Sequence, residues 1–282
     1  MIGMSRSSTG SRTGFPNWWS VAAAIVLAGG STLHAQLPLL GKARAARREA
    51  ERTIPWGELT RPAAARLRDV LEHTTVFRRM PEETIQCDPD LYIFLVRHPE
   101  VVVDIWRHMG ITRCSLKRTK PYVMEATDGA GTKSQVELVY GSNDLHVMYA
   151  EGEYSGSLTQ KPIHGRCVMI LRSRVVPGNY PTPSRTRITS RMDVFLKLDH
   201  AGAEVVAKAL HPVVGRTVDQ NFTQTMRFVE QIARVARVNN DGMQRLALQL
   251  DSLDRDVRDR FALLTSRIGR GEPAARSTRS AN

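Results

Sequence analysis

The sequence lacks the short motifs that mark many enzymes and metal proteins. It contains no HExxH, no CxxC and no GxSxG pattern, each of which sets catalytic or metal-binding side chains at a fixed spacing. Residues 129–134 include glycine, lysine and serine, but not in the order of a phosphate-binding loop, and they fall in a predicted hairpin rather than before a helix. The sequence therefore predicts no catalytic residue, no metal site and no cofactor.

Cysteine is scarce. Cys87, Cys114 and Cys167 are too few and too scattered for a disulfide scaffold or a zinc site. Cys114 and Cys167 fall on predicted strands and are the pair best placed for a single bridge in an exported protein. Three buried thiols are the favoured interpretation, because free cysteine behaves as a small apolar residue.

Lysine supplies only seven of the 40 basic residues, and no acidic residue precedes Glu49. The formal net charge of +12 is therefore mainly due to arginine. The arginines are spread along the chain and do not form a stripe with interleaved aromatic residues, which nucleic-acid-binding surfaces often have. The pattern indicates a solvated basic surface and no specific nucleic-acid partner.

The N-terminus has the features of a secretory signal. Arg6 and Arg12 supply a positive start, residues 21–28 are apolar, and Ala35 stands at the expected cleavage position. This pattern predicts a signal peptide over residues 1–35, cleavage near Ala35 and export to the periplasm or beyond. An uncleaved anchor that runs to about Leu40 is the alternative. The rest of the chain has no uncharged apolar run of about 18 residues, as a membrane-spanning helix would need.

Residues 36–60 are predicted to be a linker, in which residues 42–52 favour a short exposed helix without an apolar stripe. Thr60 then caps a helix that continues to about His73. The β-like run 75–86 contains Pro81, which is typical of an edge strand or a bulge. Two short helices are indicated next, where residues 88–89 and 98–99 each place a proline in a first helical turn.

Six β-like runs follow at residues 112–118, 121–127, 132–140, 145–154, 165–176 and 186–198. The last run alternates strictly between apolar and charged residues, which predicts one face toward a core or cavity and one face toward water. A short helix at 203–210 and a long helix at 216–238 come next. The long helix carries an apolar stripe that includes Phe222 and Met226, as expected for a helix laid into a concave antiparallel sheet. The predicted fold class is α+β.

The C-terminal part repeats apolar residues at nearly heptad spacing over residues 239–268. It is predicted to be an amphipathic helix that either pairs with a second copy as a coiled coil or folds back on the body. Residues 269–282 are polar and are predicted to be disordered.

This order of elements resembles the START-like (helix-grip) superfamily, which includes lipid-transfer domains and polyketide cyclase relatives. The resemblance covers about residues 75–238 and rests on topology rather than on a residue motif; a domain over 61–238 is predicted. It implies an apolar ligand held between the sheet and the long helix, in a cavity that is either open or filled by side chains. The predicted cavity residues are Met124, Tyr140, Met148, Met169, Ile188, Met192, Phe222 and Met226.

The favoured function is an exported carrier for an apolar or amphiphilic small molecule, plausibly a lipid, rather than an enzyme. One alternative is a cyclase- or hydratase-like enzyme that uses a cavity histidine, tyrosine or carboxylate as acid and base; His146, His164 and His200 lie on or beside predicted strands. The other alternative is a structural envelope protein that self-associates through the C-terminal helix.

Overall fold

The structure is a computed structural model that describes residues 37–155, 162–176, 186–199 and 212–272. The predicted signal peptide, the predicted short helix at 203–210 and residues 273–282 of the predicted tail lie outside these ranges. No helix within the described ranges is long and apolar enough to cross a membrane.

The described residues form seven α-helices, one short 3-10 helix and eight β-strands. In chain order they are α1 (Leu37–Arg52), the 3-10 helix (Trp56–Glu58), α2 (Arg61–Glu72), β1 (Val76–Arg79), β2 (Glu83–Gln86), α3 (Pro89–Arg97), α4 (Pro99–His108), β3 (Ser115–Lys120), β4 (Val123–Thr127), β5 (Thr132–Gly141), β6 (Leu145–Tyr154), β7 (Ile163–Val176), β8 (Arg187–Leu198), α5 (Pro212–Val238), α6 (Asn240–Gln249) and α7 (Arg255–Gly269).

All eight strands belong to one antiparallel sheet with the order β1-β8-β7-β6-β5-β4-β3. The predicted strand 75–86 is divided into β1 and β2, and both pieces pair with β8. Pro81 lies between them, and proline cannot donate a ladder hydrogen bond, so the division falls where the sequence places the break.

The concave face of the sheet packs against α3, α4 and α5. One row across five strands shows the pattern: Met124, Val136, Ala150, Cys167 and Leu196 are register neighbours, and all five are buried in the same core. The apolar stripe of α5 enters that core from the other side. A curved antiparallel sheet closed by a long C-terminal helix confirms the predicted α+β, helix-grip fold.

The convex face of the sheet is covered as well, which corrects the prediction that the outer side of the last strand faces water. Phe195 on β8 is fully buried and packs against Phe77 of β1, with tilted rings whose centroids lie 4.9 Å apart. Leu67 and Val70 of α2 pack on the same apolar patch. The predicted linker is in fact largely helical, because α1 occupies residues 37–52 and buries Ala50 against this face.

Ion pairs fasten α1 to the convex face. The carboxylate of Asp193, fully buried on β8, accepts hydrogen bonds from Arg79 at 2.6 Å and from Arg172 at 2.8 Å. Both arginines also contact Glu49 of α1, each at 2.7 Å. Hydrogen bonds from Arg172 and Arg79 lower the pKa of Glu49 to about 2. Asp193 belongs to the charged side of β8, which the alternation directs toward water; it is buried because α1 closes over the two arginines.

The C-terminal stripe forms two helices, α6 and α7, that pack back on the body. Phe261 of α7 is fully buried and stacks on Phe94 of α3 with ring centroids 6.3 Å apart. The sequence left two arrangements open for this segment, a coiled coil with a second copy and a helix folded back on the body. The structure shows the helices folded back on the body. Self-association of this segment stays a prediction.

The three cysteines are free thiols and are buried, with Cys87 1%, Cys114 6% and Cys167 5% exposed. Burial raises the pKa of the Cys167 thiol to about 12. The interpretation of three small buried thiols is confirmed, but only Cys167 lies on a strand, whereas Cys87 and Cys114 lie next to the ends of β2 and β3.

Candidate functional site

A narrow crevice enters the core between α3, the start of α4, the sheet and α5. Val96 and Pro99 contribute to its helix-pair side, and Met192 of β8 contributes to the sheet side. Phe222 and Met226 of α5 form part of the opposite wall. Its cavity volume is about 40 Å³. The crevice therefore lies where the helix-grip resemblance places a ligand, between sheet and long helix.

Local sequence signals set the walls of the crevice. The carboxylate of Asp88 caps α3 by accepting hydrogen bonds from the backbone of Asp90 and Leu91, each at 3.0 Å. Pro89 then occupies the first turn of α3, and Pro99 does the same for α4, where the missing N–H costs no helical hydrogen bond. The chain bends between the two helices and leaves Val96 and Pro99 beside the crevice.

The size of the crevice decides what it holds in this conformation. A volume of about 40 Å³ is close to the roughly 30 Å³ share of one water molecule in the liquid, whereas small-molecule pockets measure about 300–1,000 Å³. At this crevice, the side chains of the described residues therefore fill most of the space between sheet and helix. Met192 and Met226 are among these, and methionine is flexible enough to repack around a guest.

Two hydroxyl-bearing residues, Tyr92 and Thr225, are also part of the crevice lining. The Tyr92 hydroxyl is hydrogen-bonded to Ser173 and to Ser190, each at 2.7 Å. Burial raises the pKa of Tyr92 to about 12. The tyrosine is therefore a neutral hydrogen-bonding group at physiological pH and is poorly suited to exchange protons with a substrate.

The predicted cavity residues are distributed over three places. Met192, Phe222 and Met226 line the crevice. Four others are buried in the same concave-face core without lining it: Met124, Met148, Met169 and Ile188.

Tyr140 lies on the opposite face, against the convex-face core with Val139. A register shift between Leu138 and Tyr140 interrupts the pairing of β5 with β6. Such an extra residue changes the face on which the following side chains lie. The expectation that Tyr140 points into the cavity is therefore wrong.

Sequence reasoning missed the contribution of α3 and α4 to the site. Leu95, Val96, Pro99 and Val102 all line the crevice. The available signal was the apolar sequence on both sides of His98, but an apolar helix face predicts burial without indicating which neighbour covers it.

His146 is the histidine that reaches the concave-face side. It is fully buried on β6, its Nε2 atom accepts a hydrogen bond from Arg97 at 3.3 Å, and its Nδ1 atom has no partner among the described residues. Burial lowers the pKa of His146 to about 4. The ring does not line the crevice. His164 is beside Glu153 at 3.9 Å, with 63% of its side chain exposed, and His200 lies outside the described residues.

Acidic, histidine and cysteine side chains do not converge in the described ranges. No group of three or more of them is placed to hold a metal ion there. The chemistry available at the crevice is therefore burial of apolar surface, with a few neutral hydrogen-bonding groups.

The strand order and the helix across the concave face define a helix-grip fold, the fold that the START-like resemblance predicts. Comparison of the sequence with protein-family models and with curated proteins gave no match. Solved structures that resemble this one share little sequence with it. An uncharacterized protein from Rhizobium leguminosarum aligns over 54% of this chain and 96% of its own, with 10% identity and a TM-score of 0.33.

Two further solved structures have biochemical names. A truncated norcoclaurine synthase from Thalictrum flavum aligns over 55% of this chain and 95% of its own, with 12% identity and a TM-score of 0.32. The di-domain ARO/CYC StfQ of the steffimycin biosynthetic pathway aligns over 62% of this chain and 57% of its own, with 14% identity and a TM-score of 0.33. At such values the fold assignment rests on the strand order and helix packing described above.

Proposed function

We propose that the protein binds an apolar or amphiphilic small molecule at the crevice between the α3–α4 pair and α5, and carries it rather than transforms it. The observation behind the proposal is the lining: apart from the hydroxyls of Tyr92 and Thr225, it consists of apolar side chains. Met192 and Met226 are the groups that would repack to admit a guest, because thioether side chains adapt their shape at low cost.

The energetics limit how far the crevice can open. A ligand that buries about 200 Å² of apolar surface gains about 5 kcal/mol at about 25 cal/mol per Å², before the cost of association. Opening must therefore cost only a few kcal/mol. Rotation of Phe222 and Met226 away from the crevice meets this condition more easily than a displacement of all of α5, which is tied to β1 by the ion pair between Asp219 and Arg78.

Export is part of the same proposal. Residues 1–35 act as a signal peptide that is cleaved near Ala35, so the carrier works in the periplasm or outside the cell. Mass measurement of the mature N-terminus of the protein from its own host tests this step, and an intact N-terminus would argue for the anchored alternative.

Native mass spectrometry of the protein from its own host, followed by organic extraction, tests the carrier function. We expect a reproducible bound mass in the wild-type protein. Val96→Trp places a large side chain at the crevice and should remove that mass. Leu263→Trp is the matched control, because Leu263 is 65% exposed on α7 and does not line the crevice. Equal retention of the ligand by both variants would contradict the proposed site.

A structural role is the second candidate, and the small volume of about 40 Å³ favours it. A test that needs no natural ligand distinguishes the structural role from the carrier function. Met226→Ala should enlarge the crevice and let it take up benzene, as engineered apolar cavities do. If wild-type protein is empty when isolated and only the enlarged variant binds benzene, the crevice is ordinary core and the structural role is the better account.

A further inference from the structure

Asn221 has a buried carboxamide that makes no hydrogen bond with the part of the chain that the structure describes. It lies on α5 with none of its surface exposed, and neither its Oδ1 nor its Nδ2 atom has a hydrogen-bond partner among the described residues. A carboxamide in this state has given up its hydration without replacement, which lowers the stability of the folded protein. A group of this kind is a candidate for satisfaction by a guest or by an ordered water molecule.

The position of Asn221 connects it to the crevice. It directly precedes Phe222 and lies one helical turn before Thr225, and both of those residues line the crevice. Residues four apart share a helix face, and four residues advance about 6 Å along the axis. Asn221 does not itself line the crevice, but its buried side chain lies within one helical turn of two residues that do.

The neighbouring polar groups do not satisfy the carboxamide. The Thr225 hydroxyl donates to the backbone carbonyl of Asn221 at 2.8 Å, so it is engaged with the main chain. Gln224, three residues on, also has a buried Oε1 atom with no partner among the described residues. Gln224 does not line the crevice, so it does not compete with Asn221 for a group bound there.

The acidic residues of α5 near this turn are engaged elsewhere, and the nearest arginines of the helix are exposed to solvent. Asp219 pairs with Arg78, and Glu230 accepts a hydrogen bond from the backbone of Gln86 at 2.7 Å. An ionised ligand group at Asn221 would therefore lose its hydration without gaining a counter-charge from these residues.

We infer that Asn221 is the recognition group for an uncharged hydrogen-bonding head of the ligand, a hydroxyl, carbonyl or carboxamide attached to an apolar body. The inference rests on the proposed function and narrows its ligand class. A carboxamide both donates and accepts, so it matches any of these heads and does not favour a carboxylate or an ammonium group.

Toluene and benzyl alcohol test the inference, because they differ by one hydroxyl group. Their dissociation constants are measured by titration, with the methyl NMR signals of Met192 and Met226 as reporters in the crevice. In Asn221→Leu, we expect the ratio of the two constants to shift by about tenfold in favour of toluene relative to wild type, the effect of one lost hydrogen bond in a buried site. Asn221→Ala should shift it in the same direction and serves if the leucine variant does not fold.

Thr132→Val is the matched control, because Thr132 on β5 is 6% exposed and its Oγ1 atom also lacks a partner among the described residues. It removes a buried hydroxyl away from the crevice and should leave the ratio unchanged. An unchanged ratio in both Asn221 variants, with both probes still binding, would overturn the inference and assign a water molecule to Asn221, while the proposed function stands. Failure of wild-type protein to bind either probe would overturn the proposed function itself.

Discussion

Arg267, near the end of α7, donates a hydrogen bond to the carboxylate of Asp88 across 2.7 Å, although 179 positions separate the two residues in the chain. Asp88 is also the N-cap of α3, and α3 supplies part of the crevice wall. A second contact, from Arg267 to Asp90 at 2.6 Å, adds to the first. Helix α7 therefore holds α3, which borders the candidate site, in place.

Replacement of Arg267 should reveal this connection. Both Arg267 and Asp88 have side chains that are 15% exposed, and removal of one partner of a buried ion pair leaves the other charge without compensation. We expect Arg267→Leu to lower the free energy of unfolding by about 3 kcal/mol, as measured by chemical denaturation. Arg270→Leu is the control, since Arg270 pairs with Glu272 at the surface, and it should change stability little. Similar losses in the two variants would contradict the assignment.

The ion-pair cluster that holds α1 on the convex face contains two acids, Asp193 and Glu49. Replacing them should lower the free energy of unfolding by different amounts. Asp193 has a fully buried side chain, whereas 52% of the Glu49 side chain is exposed. Asp193→Ala should cost about 3–5 kcal/mol, because it removes the buried partner of two guanidinium groups and leaves them only the half-exposed carboxylate of Glu49. Glu49→Gln should cost less than about 1 kcal/mol, because solvent screens an exposed pair. Thermal or urea unfolding of both variants measures the difference, and a larger loss for Glu49→Gln would show that α1 docks in another way.

His146 should make stability depend on pH in a defined window. Its pKa is about 4 in the folded protein and about 6.5 in an unfolded chain, so between these values the unfolded state binds a proton that the folded state does not. Stability should therefore fall as pH is lowered from about 6.5 to about 4, by up to about 3 kcal/mol in total, and should not depend on this residue above pH 7.

The matching variant is His146→Gln, which keeps an acceptor for Arg97 and removes the titration. Urea unfolding of both proteins at several pH values gives the two profiles. We expect the difference between them to flatten above pH 7 and to grow toward pH 4. Parallel profiles over that window would show that other groups cause the acid sensitivity.

Gly152 on β6 is predicted to tolerate no side chain. A Cβ atom there would lie 2.6 Å from the Cβ atom of Ser134 and would also contact the backbone carbonyl of Lys133. Gly152→Ala should destabilise the sheet by about 3 kcal/mol through overpacking. Gly41→Ala is the control in α1, where no atom lies within 4 Å of the added Cβ, and it should stabilise the protein by about 0.5–1 kcal/mol. Circular dichroism melting curves distinguish the two outcomes.

The sequence predicted the order of elements because strands and helices have different periods. The stripe with Phe222 and Met226 repeats at helical spacing, and the last strand alternates at a period of two. These local patterns predicted the sheet, the long helix and the concave face of the sheet on which that helix packs. Of the eight cavity candidates, three line the crevice and four others are buried in the core on the same side of the sheet.

Errors arose where a residue's surroundings depend on distant segments. Asp193 alternates with apolar neighbours like a surface residue, and its burial is decided by Arg79, 114 positions away. Tyr140 follows an irregularity in β5 that periodicity does not reveal. The proposed roles of Val96 and Asn221 depend on how helices pack against each other, and the periodicity of one segment does not specify that packing.

The edge strand β3 has a consequence for how the protein behaves at high concentration. Lys117 and Lys120 are exposed along this strand, and β3 is the sheet end opposite β1. If two molecules approached edge to edge, these ammonium groups would face their own copies and repel each other. Like charges of this kind are a common protection against the growth of one sheet onto another. We therefore expect the charged edge of β3 to disfavour fibril formation.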